Sequence, residues 1–208
     1  MKTLATFFSF ILFGAIYIGN PIRADSDTIC KSENEKDIYE YLEETEEALI
    51  NSTQDLSEEQ MQYKPDAESW SVAEIVEHIN LVENSLKSLI SSNMGADASK
   101  ADAKAAMTDE EVMQLITNRS QKMKTQGQFE PTGEFMTSDE AIKAFIDQRE
   151  EITDWLKDSN VDMRSIMITE FPFGPVDGYQ TLLFLAGHTE RHTAQIEEVK
   201  ASAGFPGE

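Results

Sequence analysis

The chain of 208 residues contains three histidines, and their spacing is that of a metal site. His188 and His192 are four residues apart, whereas His78 lies far earlier in the chain. Because positions i and i+4 of an α-helix stack on one face, His188 and His192 can present their rings to one point. Neutral imidazole is the commonest metal ligand in proteins, and three nitrogens from two helices leave coordination positions for water or substrate. The spacing therefore indicates a site for a divalent transition metal.

Two other interpretations of these histidines compete with the metal site. A single histidine on the core face of a helix is more often a hydrogen-bonded core residue than a ligand, so a polar core cluster without metal is one alternative. Three unpaired imidazoles are costly to bury together, and a shared metal offsets that cost. A zinc protease is not indicated, because Thr189 replaces the glutamate of HExxH and Arg191 that of HxxEH. We predict that Glu190 is a surface carboxylate on the opposite side of the helix.

The second of four predicted helices positions His78. Ser71 and Glu74 form a capping box, and Trp70 precedes the cap, where its ring can pack on Ile75. Apolar residues recur at steps of three and four along this helix, and His78 falls on the same side. We therefore predict that His78 faces the core and that the carboxylate of Glu74 is occupied by capping.

The fourth predicted helix positions the other two histidines. It begins at Asp177, with Gln180 placed for a capping box, and ends before Gly204. Both histidines share its inner face with regularly spaced leucines. Gln195 follows His192 by three residues, and it either lies near the site or flanks the core.

Two further helices and one long connection complete the predicted fold. The first helix extends from a capping box at Ser32 to about Asn51, and the third begins near Thr137 or Ser138. Residues 95–136 look like an insertion, in which Thr108 could cap a short helix and the remainder is loop. The sequence thus predicts an all-α four-helix bundle with an inserted helical and loop segment between the second and third helices.

The N-terminal 24 residues have the order of a secretory signal peptide. Lys2 precedes an uncharged apolar run, Leu4–Ile18, and the segment ends in the small residue Ala24. An uncleaved anchor is an alternative, although the run is shorter than the roughly 20 residues that span a bilayer. A lipid-attachment site at Cys30 is disfavoured because small residues do not precede it. We predict cleavage after Ala24, a mature domain of residues 25–208 and a secreted or periplasmic location.

Charge, hydropathy and cysteine content argue against nucleic-acid partners, membrane insertion and an internal disulfide. The formal net charge is -22, and the predicted signal peptide contains no acid, so the mature surface is strongly acidic. Such a surface repels nucleic acid and anionic lipid. No segment after the signal peptide is apolar enough for stable membrane insertion. One cysteine cannot form an internal disulfide, so helix packing must hold the domain together.

Two segments of the chain carry a family resemblance. WSVAEIVEHI and FPFGPVDGYQTLLFLAGHTERHTAQIEEVKASAGFP resemble the DinB-like superfamily, and the resemblance covers roughly residues 34–204 without the insertion. The family motif is a tryptophan-serine helix start with a downstream histidine, followed by H-x-x-x-H in the last helix, which here matches His78, His188 and His192. The resemblance implies an up-up-down-down four-helix bundle, often a homodimer, with a triad that binds nickel, zinc or iron.

The resemblance also implies a range of activities. Some members look like metal-dependent hydrolases, and others transfer low-molecular-weight thiols onto electrophiles. We therefore expect a metal-dependent hydrolase or transferase acting on a small molecule, in which the cation lowers the pKa of a water or polarises a carbonyl. Export argues against intracellular thiol transfer, and export together with the acidic charge argues against DNA repair. The alternative function is a non-catalytic metal- or ligand-binding helical module.

Overall fold

The computed structural model describes residues 37–95, 103–120, 125 and 127–207. The predicted signal peptide, Cys30 and the capping box at Ser32 lie outside these residues. Within them, none of the helices is both long and apolar enough to cross a membrane. The regular elements are α1 (Ile38–Thr53), α2 (Glu58–Gln62), α3 (Val72–Asn93), α4 (Asp109–Thr117), α5 (Ser138–Asp158), α6 (Gly178–Lys200) and an antiparallel pair of two-residue strands, β1 (Met167–Ile168) and β2 (Val176–Asp177).

Local capping chemistry sets where the helices begin. The side chain of Asp37 accepts a hydrogen bond from the Tyr39 N–H and caps α1. Each of the other five helices begins with a capping box, in which the cap and the residue three positions on satisfy each other's backbone N–H groups. These caps are Ser57, Ser71, Thr108, Thr137 and Asp177.

Four long helices form the bundle that was predicted. α1 and α3 each pack against both α5 and α6, so every long helix has two neighbours in the bundle. The short helix α2 packs on α3, and α4 of the insertion packs on α6. The all-α class and the inserted helix between the second and third long helices are therefore confirmed.

Two apolar clusters mark the ends of the bundle and give the helix directions. α1 and α6 pass from the first cluster to the second along the chain, whereas α3 and α5 pass from the second to the first. The order is up-down-down-up, and the expected up-up-down-down order was wrong. α1 ends and α3 begins in the same cluster, so residues 54–71 turn the chain back at one end. The members include Ile90, Leu156 and Leu182 in the first cluster and Leu49, Ile75 and Phe145 in the second.

The parallel arrangement of α3 and α5 requires a connection that runs the length of the bundle. α4 makes much of this passage along α6, where Arg191 donates hydrogen bonds to the carbonyl oxygens of Ile116 and Asn118. Gly187 permits the close approach, because a Cβ at this position would lie 2.5 Å from Cγ2 of Ile116. The described parts of the predicted insertion, residues 103–120 and 127–136, thus belong to a crossover that packs on the bundle.

A polar network links all four long helices between the two apolar clusters. The fully buried Arg149 on α5 donates to Glu83 of α3 at 2.6 Å, to Thr189 of α6 at 2.8 Å and to the carbonyl of Leu42 in α1 at 2.8 Å. Thr189 also donates to Glu83 at 2.6 Å. The network therefore fixes α3 against α6, the two helices that carry the histidines.

Candidate metal centre

The structure brings the three histidines together, as their spacing predicted. His78 extends from α3 and His188 and His192 from α6, and their ring centroids are 4.4–5.0 Å apart. One ligand nitrogen from each lies within 4.8 Å of the others. All three side chains are buried, with 4–8% of their surface exposed. A single cation can therefore be reached by all three rings.

Hydrogen bonds fix the tautomer of two of the rings. Nδ1 of His78 lies 2.8 Å from the carbonyl oxygen of Phe129, and Nδ1 of His192 lies 2.8 Å from Oε1 of Gln195. Because these oxygens only accept, each Nδ1 carries the hydrogen and each Nε2 keeps its lone pair. Metal-binding histidines usually donate their other ring N–H to a partner in this way. Gln195 thus lies at the site, which the sequence left open.

The environment keeps all three imidazoles neutral at pH 7. Burial lowers the pKa of His78, against a smaller opposing effect of its bond to Phe129. Burial and then the nearby His78 lower the pKa of His192 to about 3. Burial, followed by the charges of His192 and His78, lowers the pKa of His188 well below its usual value. Neutral rings have the lone pairs that coordination requires.

One buried ring nitrogen has no partner among the described residues. Nδ1 of His188 makes no hydrogen bond there, although it is inaccessible to solvent. An unsatisfied buried polar atom costs about 1–3 kcal/mol. A cation held between the rings would give His188 an interaction that the described residues do not supply. The three neutral nitrogens fit a transition metal, since imidazole suits zinc, nickel and iron.

Aromatic rings flank the histidines on two sides. Trp70 packs against the second apolar cluster, which contains Ile75, and its ring centroid also lies 4.7 Å from that of His78, a contact that was not predicted. On the other side, the ring of Phe184 is nearly parallel to that of His188, with 6.3 Å between centroids. These rings add apolar surface beside the imidazoles, and a hydrophobic shell around a metal site controls solvent access to it.

A loop of the crossover also reaches the site, and no sequence pattern indicated it. It contributes the Phe129 carbonyl to His78, and it is held by Glu77, the buried neighbour of His78 on α3. The Glu77 carboxylate accepts hydrogen bonds from residues 132–134. Every residue has a carbonyl and glutamates are common on helices, so neither group is recognisable from residue type or spacing.

Two other glutamates near the motif in sequence have different partners, as predicted. Glu74 accepts the Ser71 N–H at 2.9 Å and the Lys64 ammonium at 2.6 Å, so it is occupied by capping and an ion pair. Glu190 is exposed and accepts the Tyr41 hydroxyl at 2.5 Å across the α1–α6 groove. Burial and the Glu190 carboxylate raise the pKa of Tyr41. Both carboxylates are directed to partners other than the histidine rings.

Comparison with known proteins identifies a relative and a family of this chain. The uncharacterized protein YuaE of Bacillus subtilis (strain 168) is 22% identical over 150 residues, which cover 72% of this chain and 89% of that protein. No solved structure matches. The DinB superfamily matches residues 41–196, a span that contains α1 from Tyr41, α6 to Ile196 and all three histidines. Because the match covers most of the chain, the protein belongs to the DinB superfamily.

Proposed function

We propose that the protein binds a divalent transition metal, zinc, nickel or iron, through His78, His188 and His192, and that it acts on a small molecule as a metal-dependent hydrolase or transferase. The observation that supports this proposal is a buried cluster of three neutral imidazoles, two of which present Nε2 lone pairs. A metal bound there would supply Lewis-acid catalysis.

The protein residues around the triad hold and shield it. The Phe129 carbonyl and the Gln195 amide orient two of the rings, and Trp70 and Phe184 add apolar surface beside the imidazoles. None of these four groups is a general base at neutral pH. The proposal therefore makes the metal the main catalyst, and three protein nitrogens leave coordination positions for the reacting groups.

Metal content tests the binding proposal directly. We expect near-stoichiometric metal in the wild-type protein and its loss in His78→Ala, His188→Ala and His192→Ala, measured by elemental analysis after loading and desalting. Thr193→Ala is the matched control, because it changes the same helix outside the triad and should retain the metal. Equal, negligible metal in all proteins would refute the proposal and favour a polar core cluster.

Turnover separates catalysis from the alternative, a non-catalytic metal- or ligand-binding module. The alternative is favoured by the burial of all three rings, which is typical of structural sites. Metal-loaded protein should be screened against small esters, amides and thiol-plus-electrophile pairs, with His192→Ala as the blank. Activity that depends on the triad supports an enzyme, whereas full metal occupancy without turnover across the panel supports the module.

The cellular setting is a separate part of the proposal. The signal-like N-terminus supports export to a secreted or periplasmic location with cleavage after Ala24, and N-terminal sequencing of the protein recovered outside the cytoplasm should then begin at Asp25. The net charge of -22 supports small molecules rather than nucleic acid or a membrane surface as partners. A homodimer is proposed from the family, and light scattering of the purified domain would measure it.

A further inference from the structure

A buried carboxylate on α3 accepts four hydrogen bonds from residues 132–134 of the crossover loop. Glu77 is 3% exposed, and its Oε1 accepts the Thr132 N–H and hydroxyl, both at 2.7 Å. Its Oε2 accepts the N–H groups of Gly133 at 2.8 Å and Glu134 at 3.0 Å. Burial alone would raise the pKa of Glu77, but these bonds outweigh it and lower the pKa. The carboxylate therefore holds the loop through four hydrogen bonds.

The loop backbone is shaped to receive this carboxylate. Three successive N–H groups converge on it, an arrangement that binds anions elsewhere in proteins. Gly133 adopts a φ of +82°, a left-handed conformation that costs other residues about 1–2 kcal/mol. A Cβ at Gly133 would meet nothing within 4 Å, so only backbone strain opposes a side chain there.

The attachment point adjoins a metal-site histidine. His78 follows Glu77 directly on α3, and the same loop brings the Phe129 carbonyl to 2.8 Å from Nδ1 of His78. A loop released from Glu77 would no longer hold that carbonyl in place. The imidazole would then be free to change tautomer and to rotate away from the other two rings.

We propose that Glu77 is a positioning residue of the metal centre: by holding residues 132–134 it keeps the Phe129 carbonyl on His78 and so presents the Nε2 lone pair to the metal. This inference rests on the proposed metal site. Loss of such an outer partner typically lowers metal affinity 10–100-fold.

Three variants test whether Glu77 positions His78 through the loop. Glu77→Asp keeps the charge but shortens the side chain, so it separates positioning from simple electrostatic attraction of a cation. Gly133→Ala keeps the carboxylate and strains the loop instead. Glu134→Gln is the control, because only its backbone N–H meets Glu77 and its own side chain is exposed.

The metal-free protein gives the first measurement. Imidazole ¹⁵N spectra should show His78 with the hydrogen on Nδ1 in the wild type and in Glu134→Gln. In Glu77→Asp and Gly133→Ala the other tautomer should appear, and the amides of residues 129–134 should lose protection from hydrogen exchange. With only three histidines, His78→Ala assigns the signal.

Metal affinity gives the second measurement. Competition with a chelator should show roughly 10–100-fold weaker binding in Glu77→Asp, a smaller loss in Gly133→Ala and no change in Glu134→Gln. Wild-type tautomer and affinity in folded Glu77→Asp and Gly133→Ala would overturn the inference. If the wild type binds no metal, the proposed function fails, and the tautomer spectra still decide whether Glu77 positions His78.

Discussion

Replacing Arg149 by methionine should destabilise the protein strongly, because it leaves the Glu83 carboxylate charged in the interior. Both side chains are 0% exposed, and their ion pair is 2.6 Å long. Removing one partner of a buried pair costs about 3–5 kcal/mol. Domains of this size unfold with roughly 5–15 kcal/mol, so the loss is a large share of the total. At about 2–4 °C per kcal/mol, the melting temperature should fall by roughly 6–20 °C.

The double variant Arg149→Met/Glu83→Leu distinguishes this cause from lost packing. With both charges removed, no ion remains unpaired inside the bundle, and apolar replacements of buried pairs are often neutral or stabilising. Thr45 and Thr189 retain hydrogen bonds to carbonyls of their own helices. We therefore expect the double variant to be more stable than Arg149→Met alone.

Equilibrium urea unfolding followed by circular dichroism measures the whole cycle. Lys87→Met is the control, because Lys87 pairs with Glu151 across the same two helices, α3 and α5, but Glu151 is 69% exposed. Exposed pairs contribute about 0–1 kcal/mol, so this variant should be nearly as stable as the wild type. An Arg149→Met protein within about 1 kcal/mol of the wild type, or effects in the cycle that simply add, would refute the reasoning.

Three further predictions test the site, the crossover and the ion pair between Asp109 and Arg164. Metal at 100 times its Kd should raise the free energy of unfolding by about 2.7 kcal/mol, and calorimetry should show no such gain in His188→Ala. Gly187→Ala should cost about 1–3 kcal/mol in urea unfolding, because its Cβ would meet Ile116 at 2.5 Å; an unchanged stability would contradict the close helix contact. The Arg164 guanidinium, against an opposing effect of burial, lowers the pKa of Asp109. The stability that wild type gains over Asp109→Asn should therefore be present above about pH 4 and disappear as the pH falls through the lowered value, and a difference independent of pH would contradict this.

Local sequence chemistry predicted the elements of the fold better than their directions. The caps at Ser71, Thr108 and Asp177 depend on residues only three positions apart, and the structure has all of them. Apolar periodicity identifies the buried face of a helix, but it is the same whichever way the helix runs in the bundle. The direction of α3 depends instead on the connection at 54–71, whose length allows either a turn at one end or a passage along the bundle.

The candidate site divides in the same way between short-range and long-range information. The i, i+4 spacing of His188 and His192 and the core face of His78 were sufficient to predict their convergence. The position of Gln195 depended on a side-chain rotamer, which spacing does not determine. The contact between Phe129 and His78 joins separate segments of the chain through a backbone oxygen. Every residue has such an oxygen, so the contact cannot be predicted from residue types.

The helix directions explain why a connection completes the site. Since α3 ends at the first apolar cluster and α5 begins at the second, the chain between them must return along the bundle. On this return, α4 packs on α6, and the loop that follows contacts Glu77 and His78 of α3. The connection therefore contacts both helices that carry the histidines. A change in this connection can therefore alter the orientation and shielding of the three histidines while the histidines themselves stay the same. Because function depends on the site rather than on the fold, such a change acts on the site without a change in the bundle.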